Sequence, residues 1–321
     1  MLLIEAAGLA RTFRSRHGTV EAVRGVDFTV GAGEIVGFLG PNGAGKTTTL
    51  RMLTTLLTPT AGTATVAGCD LRRDPAGVRR RIGYVAQGGG TDPAAGVREE
   101  LVLQARLYRL GAAEAQRRTA ELCAQLDLAG LEGRLVKTLS GGQRRRLDIA
   151  LGLVHRPPLV FFDEPTAGLD PQGRSHLWDH IRRLRGHYDT TVFLTTHYLD
   201  EADALCDRIL IIDHGRIVAE GAPEELKRRI AGDVITVEVA GGADRAQAAL
   251  AGHAAVREVA VADHTLRLAV EHGEQALAGL LRALDAARVE LASVRLARPT
   301  LDDVFLTLTG RSLREEAPAA P

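Results

Sequence analysis

Short apolar runs separated by helical patterns divide the first two thirds of the chain. Residues 35–39 form a compact apolar run, a glycine-rich segment follows, and leucines then recur at helical spacing. This order predicts a buried strand, a loop and a helix. Residues 159–162, 191–195 and 209–213 repeat the pattern of a short buried strand, with helical segments between them. Buried strands that alternate with helices predict an α/β core with a mostly parallel sheet.

Two segments depart from this alternation. Near the N-terminus, Val23, Val26, Phe28 and Val30 alternate in part with polar residues, which predicts half-buried antiparallel strands. Residues 97–126 have a largely helical pattern. We therefore expect a helical insert in the α/β core, over about residues 88–156.

The pattern changes after Pro223, where the segments become rich in alanine. Over residues 234–296 the periodicities predict strand, helix, strand, strand, helix and strand, the order of a ferredoxin-like α+β unit. A last short helix is predicted over residues 301–308, and residues 311–321 are predicted to be disordered. The expected parts of the chain are residues 1–222, residues 223–310 and a tail of residues 311–321.

The composition is that of a globular protein and excludes several classes. Of the 321 residues, 45% are hydrophobic and 25% are charged, which fits neither disorder nor collagen nor a coiled coil. No apolar run approaches the roughly 18 residues that a membrane-spanning helix needs, and the first residues lack a secretory pattern, so we expect a cytosolic chain. Forty basic and forty acidic residues give a formal charge of zero, which argues against a protein that coats nucleic acid.

The cysteines and the basic runs suggest no chemistry of their own. The three cysteines are scattered, which predicts idle thiols rather than disulfides or a zinc site. They are Cys69, Cys123 and Cys206. The basic runs 79–81, 144–146 and 227–229 are short, and we expect each of them to lie on a solvated face.

The glycine-rich segment after the first buried strand fits the phosphate-binding pattern G-x-x-x-x-G-K-[S/T]. Its glycines allow backbone N–H groups to point at phosphate oxygens, and the following helix adds its positive N-terminal end. Lys46, one of only three lysines, is a compact cation that can approach the β- and γ-phosphates, and Thr47 offers its hydroxyl to Mg²⁺. The predicted nucleotide-binding residues of this loop are Gly40, Pro41, Asn42, Gly43, Ala44, Gly45, Lys46, Thr47 and Thr48.

The apolar run of residues 159–162 ends in two adjacent carboxylates. Asp163, at the carboxyl end of the predicted strand, is placed to hold Mg²⁺. Glu164 lies one residue further on and is placed to accept a proton from an attacking water. Without the neighbouring motifs, Glu164 would be interpreted as a capping or surface carboxylate.

A second loop of small residues, reading L-S-G-G-Q at residues 139–143, precedes a helical pattern that stops at Pro157 and Pro158. One phosphate loop is already present in the chain. A second anion-binding helix N-terminus therefore predicts contact with a phosphate that another copy or a partner holds. The residues of this second loop are Ser140, Gly141, Gly142 and Gln143.

With these three motifs in this order, residues 4–222 resemble the ATP-binding subunits of ABC transporters. The resemblance implies a P-loop NTPase core of the ABC ATPase type, with an antiparallel β subdomain and a helical subdomain. It implies ATP and Mg²⁺ as cofactors and ATP hydrolysis as the activity. It also implies that the L-S-G-G-Q signature of one subunit closes on the γ-phosphate that the other subunit binds.

The resemblance also assigns single positions. Phe13 is similar to the aromatic residue that stacks on adenine, and Asp170 to a loop residue that connects the two active sites of a dimer. Gln87 is similar to the glutamine that meets Mg²⁺ and the attacking water, and His197 to the histidine that contacts the γ-phosphate. The implied catalytic residues are Glu164, His197, Gln87 and Lys46, and the implied metal-binding residues are Thr47, Gln87 and Asp163.

Residues 144–148 and 299–310 resemble the daunorubicin/doxorubicin-resistance group of these subunits, which implies export of drugs, antibiotics or lipids. The expected partners are a separate transmembrane permease, docked on residues 88–110, and a second ATP-binding subunit, in a homodimer. The chain would lie at the cytoplasmic face of the membrane, held there through the permease. The C-terminal domain would help to dimerise or regulate the ATPase.

Two alternatives stay open at this point. One is a soluble ABC ATPase that acts on ribosomes, DNA or another protein without transport, and the other is a nucleotide-dependent scaffold. The single phosphate loop and the zero net charge weigh against the first alternative, and no nucleic-acid partner is expected. The presence of Glu164 and His197 weighs against the second.

Overall fold

A computed structural model of the chain describes residues 1–15, 18–188, 190–228, 233–270, 273–297 and 299–309. The chain divides into two compact units, Met1–Gly221 and Ala222–Pro321, and each unit has a hydrophobic core of its own. Within the described ranges, every helix is too short or too polar to cross a bilayer.

The first unit combines ten strands and seven α-helices in its described part. The strands are β1 (Leu2–Ser15), β2 (Gly18–Gly31), β3 (Ile35–Leu39), β4 (Ala61–Val66), β5 (Cys69–Asp70), β6 (Ile82–Val85), β7 (Leu159–Asp163), β8 (Thr191–Thr196), β9 (Arg208–Asp213) and β10 (Arg216–Gly221). The helices are α1 (Lys46–Leu53), α2 (Pro75–Arg81), α3 (Val97–Leu107), α4 (Ala112–Gln125), α5 (Gly141–Leu153), α6 (Pro171–Tyr188) and α7 (Leu199–Leu205).

The central sheet of this unit has the strand order β10-β9-β3-β8-β7-β6. Its neighbouring strands run parallel, except that β10 is antiparallel to β9. Every residue of β3, β7 and β8 is buried, as expected for strands covered on both faces. The predicted α/β core with a mostly parallel sheet is therefore confirmed.

A second sheet, β2-β1-β4-β5, is antiparallel throughout. The four alternating apolar positions predicted near the N-terminus lie on β2 and are buried, while most of their neighbours are exposed. The Phe28 ring of β2 lies 6.0 Å from the Phe38 ring of β3 and 5.8 Å from the Phe193 ring of β8. Aromatic packing thus joins the two sheets into one core.

The predicted helical insert lies between β6 and β7. It contains α3, α4, a 3₁₀ turn at Val136–Thr138 and α5. The helical stretch predicted over residues 97–126 is two helices, because Arg109 adopts a positive φ of 66° and Gly111 caps the start of α4.

The second unit has the predicted ferredoxin-like order. Its elements are α8 (Pro223–Leu226), β11 (Asp233–Val239), α9 (Ala243–Ala251), β12 (Val256–Ala262), β13 (Thr265–Val270), α10 (Gly273–Ala286), β14 (Leu291–Ala297) and α11 (Leu301–Thr309). The sheet order is β12-β13-β11-β14, and each neighbouring pair is antiparallel. Side chains of β11, β13, α9 and α10 form its core. The predicted disordered tail, residues 311–321, lies outside the described residues.

Phe193 is the residue on which we expect the packing between the two sheets of the first unit to depend. Its buried ring lies 5.7 Å from the rings of both Phe38 and Phe161, and 5.8 Å from that of Phe28. We predict that Phe193→Ala lowers the free energy of unfolding by about 3–5 kcal/mol, because it leaves a cavity between the sheets.

Urea unfolding followed by circular dichroism measures this loss. The matched control is Leu56→Ala, which removes a side chain that is 59% exposed and should change the free energy by less than about 0.5 kcal/mol. Equal losses for the two variants would contradict the assignment of Phe193 to the shared core.

Candidate active site

The glycine-rich loop joins β3 to α1, as the sequence predicts. Gly45 has a φ of 108°, and a Cβ there would lie 2.4 Å from the carbonyl oxygen of Ala22. A Cβ on Gly40 would lie 2.2 Å from the carbonyl oxygen of Ile212. Only glycine is compatible with both positions, so the loop shape depends directly on these two residues.

Lys46 begins α1, and its side chain is almost fully buried. Its Nζ donates to the carbonyl oxygens of Gly40 at 2.7 Å and Pro41 at 3.0 Å. The same Nζ lies 3.7 Å from Oε1 of Glu164. The ammonium group is thereby fixed between the phosphate loop and the carboxylate after β7.

Asp163 ends β7, and its carboxylate is held by two hydroxyl groups. Oδ1 accepts hydrogen bonds from Thr47 Oγ1 at 3.0 Å and from Thr195 Oγ1 at 2.7 Å. A threonine hydroxyl beside a buried carboxylate is a donor set of the kind that Mg²⁺ uses, since this ion needs few protein ligands when phosphates and waters supply the others. The residues present therefore fit a magnesium site.

Glu164 adopts an unusual backbone conformation, with a φ of 46°. Its backbone N–H donates to both the carbonyl oxygen and Oγ1 of Thr195, each at 3.1 Å. A non-glycine residue in this region costs on the order of 1 kcal/mol and persists where its surroundings hold it in place. Such conformations cluster at functional sites.

The Glu164 side chain is buried among polar groups from three other elements. Gln87, which follows β6, donates from Nε2 to Oε2 at 2.9 Å. His197, which follows β8, places Nδ1 3.2 Å from Oε1, the oxygen that also faces Lys46. The structure thus brings all four predicted catalytic residues together.

The charge state of Glu164 follows from these neighbours. Burial raises the pKa of its carboxyl group, but the hydrogen bond and charge of His197 and the charge of Lys46 lower it by more, so the net shift is downward. The group is therefore a carboxylate at neutral pH and can accept a proton.

The phosphate loop, Gln87 and Glu164 line a cavity of about 220 Å³. Backbone and side chains of the phosphate loop form one wall. Gln87, which follows β6, and Glu164, which follows β7, form the other. The lining residues are Asn42, Gly43, Gly45, Lys46, Thr47, Thr48, Gln87 and Glu164.

The predicted signature residues lie at the N-terminus of α5 and line no part of this cavity. Ser140 and Gln143 form a capping box, in which each side chain accepts a hydrogen bond from the backbone N–H of the other. Ser140 and Gly141 are exposed. The helix end is preformed and accessible to a group from another molecule.

Phe13 and Asp170 are also absent from the lining of the cavity. The Phe13 ring is 39% exposed, and the Arg11 guanidinium lies 4.7 Å from its centroid. Asp170 Oδ1 accepts from the backbone N–H of Gly173 at 2.7 Å, in the first turn of α6. Both residues thus contact residues that are close to them in sequence.

Two of the basic runs are not fully solvated, which corrects the expectation from sequence. Arg145 is only 7% exposed, and its guanidinium donates to three backbone carbonyls. Lys227 is 8% exposed and forms an ion pair with Glu224. A run of three basic residues does not reveal which member points inward, so the sequence offered no signal for Arg145.

Comparison with known proteins agrees with this geometry. A family model described as "ABC transporter" matches residues 23–167, and one described as the C-terminal domain of DrrA1-3-like ATP-binding proteins matches residues 221–309. A bacterial ABC transporter cassette solved as a dimer is 26% identical, with a TM-score of 0.63, over 68% of this chain and 98% of that one.

Curated relatives extend the similarity over nearly the whole chain. The daunorubicin resistance ATP-binding protein DrrA3 of Streptomyces coeruleorubidus is 47% identical over 94% of this chain and 96% of its own length. The linearmycin resistance ATP-binding protein LnrL of Bacillus subtilis is 35% identical over 95% and 99%. The chain therefore belongs to the ATP-hydrolysing, ATP-binding subunits of ABC transporters, in the group of the daunorubicin and doxorubicin resistance proteins.

Proposed function

We propose that the cavity between the phosphate loop and Glu164 is where this chain hydrolyses MgATP, and that hydrolysis powers a separate membrane permease. One observation carries the proposal. A charged carboxylate is held at the wall of a cavity of about 220 Å³ by a lysine, a histidine and a glutamine from three other elements. This arrangement suits attack by water on a bound γ-phosphate.

Each residue has a role that its contacts support. Lys46 and the loop N–H groups bind the β- and γ-phosphates. Thr47, Asp163 and Gln87 hold Mg²⁺, which when bound neutralises charge on the phosphate oxygens. Glu164 accepts the proton of the attacking water, while Gln87 and His197 orient the water and the γ-phosphate.

A second copy supplies what one chain lacks. The exposed N-terminus of α5 lines no part of the cavity of its own chain, and it offers backbone N–H groups to an anion. In a homodimer each signature helix, beginning at Gly141, reaches the nucleotide of the other copy. Phe13 and Asp170, exposed in one chain, serve adenine stacking and the contact between the two sites.

The permease docks on the helical insert. Leu103 and Leu107 lie one turn apart on α3 and are 58% and 70% exposed, so they present an apolar surface to solvent. A permease segment covering them holds the chain at the cytoplasmic face of the membrane. The cargo is a drug, antibiotic or lipid, in line with relatives named for daunorubicin, doxorubicin and linearmycin resistance and for Nod factor export.

We predict that Lys46→Ala weakens ATP binding by about tenfold or more, because charged hydrogen bonds to the phosphates are lost. Titration of the full chain with a fluorescent ATP analogue measures the affinity. The matched control is Lys137→Ala, which removes an exposed lysine and should leave the affinity unchanged. Wild-type affinity of the Lys46 variant would exclude its contact with phosphate.

We predict that Glu164→Gln still binds ATP, hydrolyses it slowly and accumulates as a closed dimer, because the proton acceptor is lost while the phosphate contacts remain. Phosphate release and analytical ultracentrifugation with MgATP measure the two effects. Glu114→Gln, in a half-exposed position on α4, is the control. Steady-state hydrolysis near the wild-type rate would rule out the role of Glu164.

We predict that the double variant Leu103→Asp, Leu107→Asp no longer co-purifies with the permease from detergent-solubilised membranes, because two charges replace the apolar contact. Hydrolysis by the isolated variant should match that of the wild-type chain. Leu56→Asp, which changes a leucine outside the helical insert that is 59% exposed, is the control. Normal recovery of the double variant would place the docking surface elsewhere, and failure of the wild-type chain to recover any spanning subunit would favour a non-transport ATPase.

A further inference from the structure

We propose that Arg145, assisted by Asp148, is a positioning residue that holds the side chains of Gln87 and Glu164 in the relative positions that hydrolysis requires. This inference rests on the proposed roles of Gln87 and Glu164. Both positioning residues lie on α5, the helix that begins with the signature loop. The helix that faces a second nucleotide would therefore also hold the catalytic pair of its own site.

The guanidinium of Arg145 joins two loops that are far apart in sequence. Nη1 donates to the carbonyl oxygen of Ala86 at 2.6 Å. Nε donates to that of Pro165 at 2.7 Å, and Nη2 to that of Asp163 at 3.3 Å. One buried side chain thus supplies the donors for three carbonyls.

The three carbonyls belong to residues directly beside the catalytic pair. Ala86 immediately precedes Gln87, while Asp163 and Pro165 flank Glu164 on both sides. The side chains of Gln87 and Glu164 meet at 2.9 Å. Since Glu164 has a strained φ of 46°, it depends on surrounding contacts to keep this conformation, and Arg145 contributes two of them through its neighbours.

Asp148 approaches the other flank of the Gln87 loop. It lies three residues after Arg145 on α5 and is 9% exposed. Burial raises the pKa of its carboxyl group, and the nearby charge of Arg145 and the backbone of Gly90 oppose this shift. A Cβ on Gly89 would lie 3.0 and 3.2 Å from its two oxygens, so the loop backbone packs directly on it. Contacts from α5 therefore fix the loop both before and after Gln87.

The chemistry of Arg145 suits this task better than other side chains would. A guanidinium is planar and presents five N–H donors in a fixed fork, so it can satisfy carbonyls on separate loops at once. A lysine ammonium is a point donor on a flexible stem and cannot span the same set. The charge alone is therefore insufficient for the proposed role.

The first test compares Arg145→Met and Arg145→Lys in the full chain. Arg145→Met should lower kcat for ATP hydrolysis by about ten- to a hundredfold through misplacement of the pair. The affinity for a fluorescent ATP analogue should stay within about twofold, since the phosphate loop is untouched. Arg145→Lys keeps the charge and should disturb folding less. Its kcat should lie between those of the wild-type chain and Arg145→Met.

The control is Arg117→Met, which removes an arginine that is 64% exposed on α4. It should keep wild-type kcat and affinity. Wild-type kcat in Arg145→Lys would overturn the proposal, as would a parallel loss of affinity and thermal stability without a selective loss of kcat.

The second test places Arg145→Met in the Glu164→Gln background. Because Arg145 is proposed to act in part through Glu164, the added substitution should lower the residual rate by a smaller factor than it lowers the wild-type rate, since the effects are not independent. The same fold-loss in both backgrounds would overturn the inference. By contrast, a wild-type rate of ATP hydrolysis in Glu164→Gln alone would contradict the proposed role of Glu164. The inference about Arg145 would then lose its premise.

Discussion

The site depends on keeping one nearly buried carboxylate, that of Glu164, charged. An isolated carboxylate in such a place would lose much of its hydration and take up a proton, since burial raises its pKa. Lys46 and His197 offset this loss of hydration, and Gln87 donates to the other oxygen. Each of these groups follows a different strand of the central sheet, and the carboxyl ends of parallel strands meet at one edge. The parallel order of the sheet is therefore what makes the charged state possible.

One chain presents a cavity with the proposed catalytic groups and, outside that cavity, one exposed helix N-terminus. The cavity is lined by the groups that we propose bind phosphate and accept a proton, while the signature loop at residues 139–143 lies outside its lining. In the proposed homodimer, two-fold pairing would give each such helix end an equivalent place on the other copy, as isologous interfaces require. Because the capping box of Ser140 and Gln143 is already formed, this loop would need little ordering if nucleotide bridges two copies as proposed.

Strong local patterns made much of the fold predictable. The apolar runs of the parallel strands, the glycine loop and the order of the C-terminal elements are confirmed because each reflects burial or turn geometry over a few residues. Local patterns do not reveal the order of the strands in the sheet. That order places Thr195 of β8 beside Asp163 of β7, so the role of Thr195 could not be predicted. Residues 61–81, with two short strands and one short helix, lack a strong periodicity. Of the three consecutive arginines 144–146, Arg145 is buried. Which of the three side chains is buried depends on tertiary packing and cannot be read from the local sequence.

Two buried arginines, Arg118 and Arg145, hold α5 between the signature loop at its N-terminus and the loops that carry Gln87 and Glu164. Arg118 of α4 donates to the carbonyl oxygens of Leu153 and Val154, at the C-terminal end of α5, and Arg145 holds the middle of the helix against the catalytic loops. Among residues 140–153, Ser140 and Gly141 are the only ones that are exposed rather than half-buried or buried. In the proposed dimer, a shift of the signature end of α5 on contact with a second nucleotide would therefore be passed to the loops that Arg145 contacts. The contacts of Arg145 thus give the proposed coupling between the two sites a direct route through α5.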